Sequence, residues 1–92
     1  MAEQASEWAL PDSLDLAGIP RIWPEMARRI HDSPALTVSL AGVTRASSAA
    51  LALLLQGLEE ARNTGCRLRY RDIPDDLLAL ARVSNVQDLL LE

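Results

Sequence analysis

The chain is poor in the residues that build metal sites, disulfides and charged nucleic-acid surfaces. Its 92 residues include one cysteine, one histidine and no lysine or phenylalanine, and they carry a net charge of -4. One cysteine cannot form an internal disulfide, and one histidine with one cysteine gives no metal-ligand set. No block of basic residues is available to bind a phosphate backbone, and no apolar run approaches the ~18 residues of a membrane span. These absences argue against a metal-binding, nucleic-acid-binding or membrane-spanning protein.

The residues that are present have the composition of one small globular domain. Hydrophobic residues make up 49% of the chain and charged residues 24%. A chain of this length buries roughly 60 to 65% of its unfolded surface, which gives one modest core and little room for an internal active site. The acidic start has no apolar run after basic residues, so we expect no secretory signal and a cytoplasmic protein. We expect a single domain over residues 1–92, in which residues 1–6 can be flexible.

A strand, a polar turn and a helix follow one another in the middle of the chain. Residues 37–43 are apolar and β-branched, which predicts a central strand, and residues 49–62 have helical composition throughout. Ser47 and Ser48 therefore fall where the helix begins, and either hydroxyl can accept from the free N–H groups of its first turn. Asn63, Thr64 and Gly65 then end the helix, and either Asn63 or Gly65 suits the left-handed C-terminal conformation.

The flanking segments predict the remaining elements. Trp8 to Ala17 reads as an N-terminal hairpin around a Pro-Asp turn, and residues 21–31 are predicted to form a helix whose regular part starts near Trp23 or Pro24. Cys66 to Arg71 alternates apolar residues with arginines, which is typical of a half-buried strand. Asp72 is expected to cap a last helix, and the inner stripe of that helix consists of Leu77, Leu80, Ala81 and Ser84. Residues 86–91 can form either a strand or a helical turn.

Strands separated by helices run parallel, so this order predicts an α/β fold. We expect a small sandwich with a mixed four- to five-stranded sheet and helices mainly on one face. At 100° per residue, one side of the central helix must face the sheet. Its members are Ala50, Leu51, Leu54, Leu55, Leu58 and Ala61. The opposite side carries Ala49, Ala52, Leu53, Gln56 and Glu60.

That opposite side is unusually low in charge for a helix surface. A single exposed leucine is common and by itself needs no explanation. Small residues at Ala49 and Ala52 would, however, let a second backbone approach closely, with Leu53 as an outward apolar contact. Both a plain solvated face and a partner-docking face therefore fit the helix taken alone.

The strand, turn and helix of residues 38–55 resemble the signature region of STAS domains. This is the fold of anti-sigma-factor antagonists and of the cytoplasmic tails of sulfate transporters, in which a strand ends in Asp-Ser/Thr-Gly at the start of a helix. The family's acidic residue falls on Ser47 and its glycine on Ala49, while the hydroxyl position is kept as Ser48. The resemblance covers nearly the whole chain and implies a STAS-like α/β sandwich.

Within that family, residues 23–26 and 52–55 are most similar to the small STAS subunit of bacterial phospholipid-transporting ABC complexes, which maintain outer-membrane lipid asymmetry. This resemblance implies a non-enzymatic regulatory subunit that binds the transporter's ATPase and, through it, a membrane permease. Such a subunit is cytoplasmic and is held at the inner membrane by its complex. The expected binding surface consists of Ser47, Ser48, Ala49, Ala52, Leu53 and Gln56.

The alternative is an anti-sigma-factor antagonist type of signalling module that a partner kinase switches at Ser48. A phosphate at Ser48 would be favoured by the positive end of the helix. The missing acid and glycine weigh against this alternative, because in the phosphorylation-switched members of the family they surround the modified serine.

An enzymatic function has little support in the sequence, and no cofactor is expected. No Cys/His pair with a supporting acid, paired-carboxylate site or Gly-rich phosphate loop stands out. His31 lies near a helix end and is expected to interact with the helix dipole there, and Cys66 is expected to be a small core residue. The arginines at 67, 69 and 71 read first as a solvated strand face, with a patch for lipid headgroups or an acidic partner as the second interpretation.

Overall fold

The computed structural model describes residues 5–11, 13–14 and 17–90. Five strands and four helices are present in these residues. In chain order they are β1 (Ala5–Ala9), β2 (Ser13–Leu14), α1 (Ile19–Asp32), β3 (Ala35–Ser39), β4 (Arg45–Ala46), α2 (Ser48–Thr64), β5 (Arg67–Arg71), α3 (Asp75–Val83) and α4 (Gln87–Leu90). The sequence allows flexibility in residues 1–6. Ala5 and Ser6 belong to β1, and residues 1–4 lie outside the described residues.

Three of the strands form a parallel sheet in the order β1-β3-β5. Trp8 pairs with Val38, and Val38 pairs with Tyr70, so the three side chains lie on one face of the sheet. That face packs against the helices, and the fully buried Val38 is at its centre. The parallel α/β architecture is therefore confirmed, but the described residues contain neither a mixed sheet nor one of four to five strands.

The predicted N-terminal hairpin is wrong. β1 pairs in parallel with β3, and β2 pairs in parallel with β4 in a separate two-stranded sheet. The alternation of residues in β1 shows which side chains share a face, but it does not say which strand lies beside them. β3 needs a neighbour on each side to satisfy its backbone, and β1 supplies one of them. Asp12, Asp15 and Leu16 of the predicted hairpin lie outside the described residues.

Helix α1 begins at Ile19, earlier than predicted, and Pro24 lies inside it. Pro20 occupies the first turn, where a proline loses no hydrogen bond. Pro24 lacks only the N–H that would reach the Pro20 carbonyl, so the helix continues and buries Ile22 and Met26 on one side. It ends at Asp32 ahead of Pro34, as predicted, because the residue before a proline is driven into extended conformation.

The C-terminal part differs from its prediction in two places. Asp72 does not cap α3, because its backbone is left-handed (φ 58°) and the helix starts only after Pro74. Leu77 and Ala81 form the buried side of α3, whereas Leu80 and Ser84 are exposed. The undecided segment after α3 folds as the short helix α4, which buries Leu90.

Candidate functional site

The start of α2 has the cap that the sequence predicts. Ser47 is the N-cap, and its Oγ accepts a hydrogen bond from the Ala49 backbone N–H at 3.2 Å. The Ser47 N–H donates to the Leu14 carbonyl at 3.3 Å, which ties the helix start to β2. Ser48 is then the first helical residue, and its side chain is exposed. Since the first turn contains no acidic residue, the positive end of this helix is not neutralised from within it.

Five of the six predicted binding residues lie on accessible surface. Ser48, Ala52 and Gln56 are exposed, and Ser47 and Ala49 are half-buried. On a helix, Ser48, Ala52 and Gln56 are each four residues apart and follow one another along the same side. The structure therefore places these five residues together around the first turns of α2.

The outward position predicted for Leu53 is wrong. This side chain is only 2% exposed and belongs to the core, as do Ala50 and Leu54. The helix is rotated relative to the prediction because it is covered by α1 as well as by the sheet. Gly57, which was not counted among the apolar positions, is also buried and faces Met26 of α1.

The same rotation exposes apolar residues that were predicted to be core. Leu55 and Leu58 are only half-buried and line an open groove of about 460 Å³ between α2 and the segment around α4. Val86 and Leu89 also line the groove, as do the charged residues Glu59 and Arg62. Two features of the sequence could have indicated this groove. Gly57 marks the closely packed side of α2, and the apolar residues 86–91 need a surface to pack on. The outward side of α2 thus runs from small polar residues at its start to this apolar groove.

No charged residue occurs in α2 between Ser48 and Leu58, and the first one is Glu59. A solvated helix side normally carries charged residues at these positions. The uncharged strip, defined here as Ser48, Ala52, Leu55 and Gln56, is therefore the part of the helix surface best suited to contact another protein.

Two titratable side chains of the described residues, Cys66 and Tyr70, are buried. Burial raises the pKa of the Cys66 thiol, which makes it a poor nucleophile. Burial also raises the pKa of Tyr70, whose hydroxyl donates to the Leu54 carbonyl at 2.8 Å. The Nε2 atom of His31, in the last turn of α1, lies 2.6 Å from Glu60 Oε2, and this contact links α1 to α2.

Hydrogen bonds from Arg28 and Arg29, both 2.7 Å long, lower the pKa of Glu25 within α1. Among the residues that the structure describes, no group of three histidine, cysteine or acidic side chains could hold a metal ion. None of the helices traced in these residues is both long and apolar enough to cross a bilayer.

The described residues form a small parallel α/β domain, which is consistent with the fold of STAS domains, a class of small regulatory and interaction domains. The model of the family described as "Mlab, STAS domain" matches residues 1–92, the entire chain. The protein therefore belongs to the MlaB-type STAS domain family. No individual characterised protein matches the chain.

Proposed function

We propose that this domain is a non-enzymatic regulatory or assembly subunit that binds the ATPase subunit of a bacterial phospholipid-transporting ABC complex. Family membership supports the class of function, and the resemblance of residues 23–26 and 52–55 to the STAS subunit of such complexes supports this partner. In this role the domain is cytoplasmic, reaches the membrane permease only through the ATPase, and helps to maintain outer-membrane lipid asymmetry.

The observation that carries the proposal is the uncharged strip on α2. Ser48 and Ala52 are small and exposed, so a partner helix or loop can approach the backbone of α2 closely. Leu55 extends the strip into the groove, where a partner's apolar side chain can be buried against Leu58 and Val86. Small residues beside a shallow apolar groove provide shape and area for binding, without charges that would have to be desolvated.

The test is co-purification of the domain with its partners from the source cell. Ala52→Arg adds a long charged side chain to the middle of the strip and should abolish capture of an ABC ATPase and its permease. Ala79→Arg is the matched control, because Ala79 is also exposed on a helix but lies on α3 outside the strip. Both variants should keep the thermal stability of the native domain, since neither changes a buried residue. Capture of the ATPase by Ala52→Arg at the native level would contradict the assigned surface.

A second function, switching by a kinase, is favoured by one observation. Ser48 is exposed at the first position of a helix whose first turn contains no acid, so a phosphate there would meet an unneutralised helix N-terminus. Detection of phospho-Ser48 in cells, together with co-purification of a kinase or sigma-regulating protein in place of an ATPase, would move the function to signalling and leave the fold unchanged.

A further inference from the structure

The face of the three-stranded sheet turned away from the helices carries a row of arginines. Arg67, Arg69 and Arg71 are all exposed and alternate along β5 with Leu68 and Tyr70, which point to the helices. Neighbouring members of such a row are about 6.6 Å apart along the strand. β5 is the last strand of the sheet in the order β1-β3-β5, so this arginine row lies at the border of the open face.

The face is positive although the chain as a whole is acidic. Three of the nine arginines lie on this single five-residue strand, and the net charge of the chain is -4. The only acidic residue within the three strands is Glu7 of β1. Arg71 donates to Glu7 at 3.0 Å and lies 3.4 Å from the Asp72 carboxylate. Arg67 has a partner as well. Arg69 makes no ion pair and no side-chain hydrogen bond among the described residues, so it is the member of the row whose charge is uncommitted.

Apart from the Arg71–Glu7 contact, which crosses β3, the rest of this face is low enough for a chain to lie against it. Between the arginine row and Glu7, the central strand β3 presents only short side chains, at Ala35, Thr37 and Ser39. The arginines are long enough to reach over a segment that lies on β3, as Arg71 shows by reaching Glu7 two strands away. Their regular spacing matches alternate residues of an extended chain, whose side chains repeat with the same period of two.

Three other occupants fit this face less well. A second copy that paired through β5 would bring arginine against arginine, which is destabilising. A membrane surface would need apolar anchors, but the large exposed apolar residues Leu80, Val83 and Leu89 lie on α3 and α4, which pack against α2 on the other side of the sheet. A nucleic acid would meet three arginines without an aromatic side chain on this face, in a protein of net negative charge.

We propose that the open face of the sheet binds an extended acidic segment of a partner protein, with one carboxylate paired with Arg69 and the carboxylates at alternate positions on either side of it competing with the existing partners of Arg67 and Arg71. This surface is separate from the uncharged strip on α2. The alternative role of the arginines is to keep an edge strand from pairing with other chains, which would require no ligand.

The test uses a fluorescein-labelled peptide of alternating glutamate and threonine, long enough to span β5, titrated with the intact domain at low salt and followed by anisotropy. The native domain should bind it, and a peptide with the same composition but with all its glutamates in one block should bind more weakly. Arg69→Glu should weaken binding of the alternating peptide by at least about tenfold, since it places a like charge in the row. Arg21→Glu, at an exposed position on α1, gives the same net charge and should leave binding unchanged.

The same titration contains the results that would overturn the proposal. Absence of peptide binding at low salt would leave the arginine row with an edge-protecting role only. Equal losses in Arg69→Glu and Arg21→Glu would show that overall charge, and not this face, governs the interaction. Binding to phosphatidylglycerol vesicles that depends on Arg69, without binding of the peptide, would assign the face to lipid headgroups instead.

Discussion

Gly57 lies where α1, α2 and β5 pack against one another. A Cβ atom at this position would contact both Met26 Cε and the hydroxyl of Tyr70. The Tyr70 hydroxyl is fixed by its hydrogen bond to the Leu54 carbonyl, and burial raises its pKa, which keeps it protonated as the donor. The bare backbone at 57 therefore makes room for a buried hydrogen bond that joins β5 to α2.

Replacement of Gly57 by alanine should destabilise the domain even though alanine is the better helix former. Alanine normally stabilises a helix interior by ~1 kcal/mol relative to glycine. Here the flexible Met26 can turn aside, but the Tyr70 ring must shift and lose its hydrogen bond, so the net effect should be a loss of about 1 to 3 kcal/mol in the free energy of unfolding. Urea unfolding followed by circular dichroism measures this difference.

Two companion variants show whether the Tyr70 hydroxyl is the cause. Gly42→Ala should be nearly neutral, because the nearest atom to its Cβ is the Leu10 carbonyl oxygen at an ordinary 4.0 Å. In a Tyr70→Phe background, Gly57→Ala should be less costly than in the native domain, because the hydroxyl is already absent. An increase in stability for Gly57→Ala in the native background would mean that α1, α2 and β5 leave room for a Cβ atom at this position.

Helix α2 shows which properties of an element could be predicted from the sequence. Its start at Ser47 and its end within residues 63–65 follow from local chemistry, and the structure confirms both, with Gly65 as the left-handed residue. Its rotation depends on which neighbours cover it, and α1 occupies the side on which Leu53 was expected to be free. A nearly continuous apolar sequence from Ala49 to Leu55 does not indicate a single buried side, so it could not determine the rotation.

The rotation of α2 can be measured by alanine substitutions at three successive leucines. Leu53→Ala and Leu54→Ala should each lower the free energy of unfolding by about 2 to 5 kcal/mol, because both side chains are buried and would leave cavities. Leu55→Ala should have a smaller effect, since Leu55 lines the open groove. Equal effects of Leu53→Ala and Leu55→Ala would contradict this rotation. Leu53→Arg is unsuitable as a docking test, because it would place a charge in the core.

In the sheet, too, some features follow from the local sequence and others depend on tertiary contacts. The alternation from Cys66 to Arg71 predicts correctly which residues of β5 face the helices. The partners of β1 and β2 could not be predicted, because their short apolar stretches allow either a hairpin or a parallel pairing with a distant strand. For the candidate site, five of the six predicted residues lie on accessible surface at the start of α2, and their role in binding stays a prediction. The sequence did not indicate the groove formed with residues 86–89.

On the scale of the whole molecule, the two proposed surfaces differ in chemistry and position. The uncharged strip lies on the side of α2 opposite the sheet-facing Ala50 and Leu54, and the arginine row lies on the face of the sheet that bears no helix. The hydrophobic core, which includes Val38 and Leu54, separates them. No described hydrogen bond or ion pair joins a residue of the strip to a residue of the row.

Because the core separates the two surfaces, binding at one should not affect binding at the other. Ala52→Arg should abolish capture of the ATPase and leave the affinity for the alternating acidic peptide within about twofold of native, the additivity expected of distant sites without shared partners. Arg69→Glu should weaken binding of the alternating acidic peptide and leave capture of the ATPase unchanged. The native domain in complex with the proposed ATPase should still bind the peptide. Anisotropy titration of the purified complex measures this directly. Release of the peptide on ATPase binding would instead mean that the ATPase also covers the sheet face, and the acidic segment would then be sought within the ATPase itself.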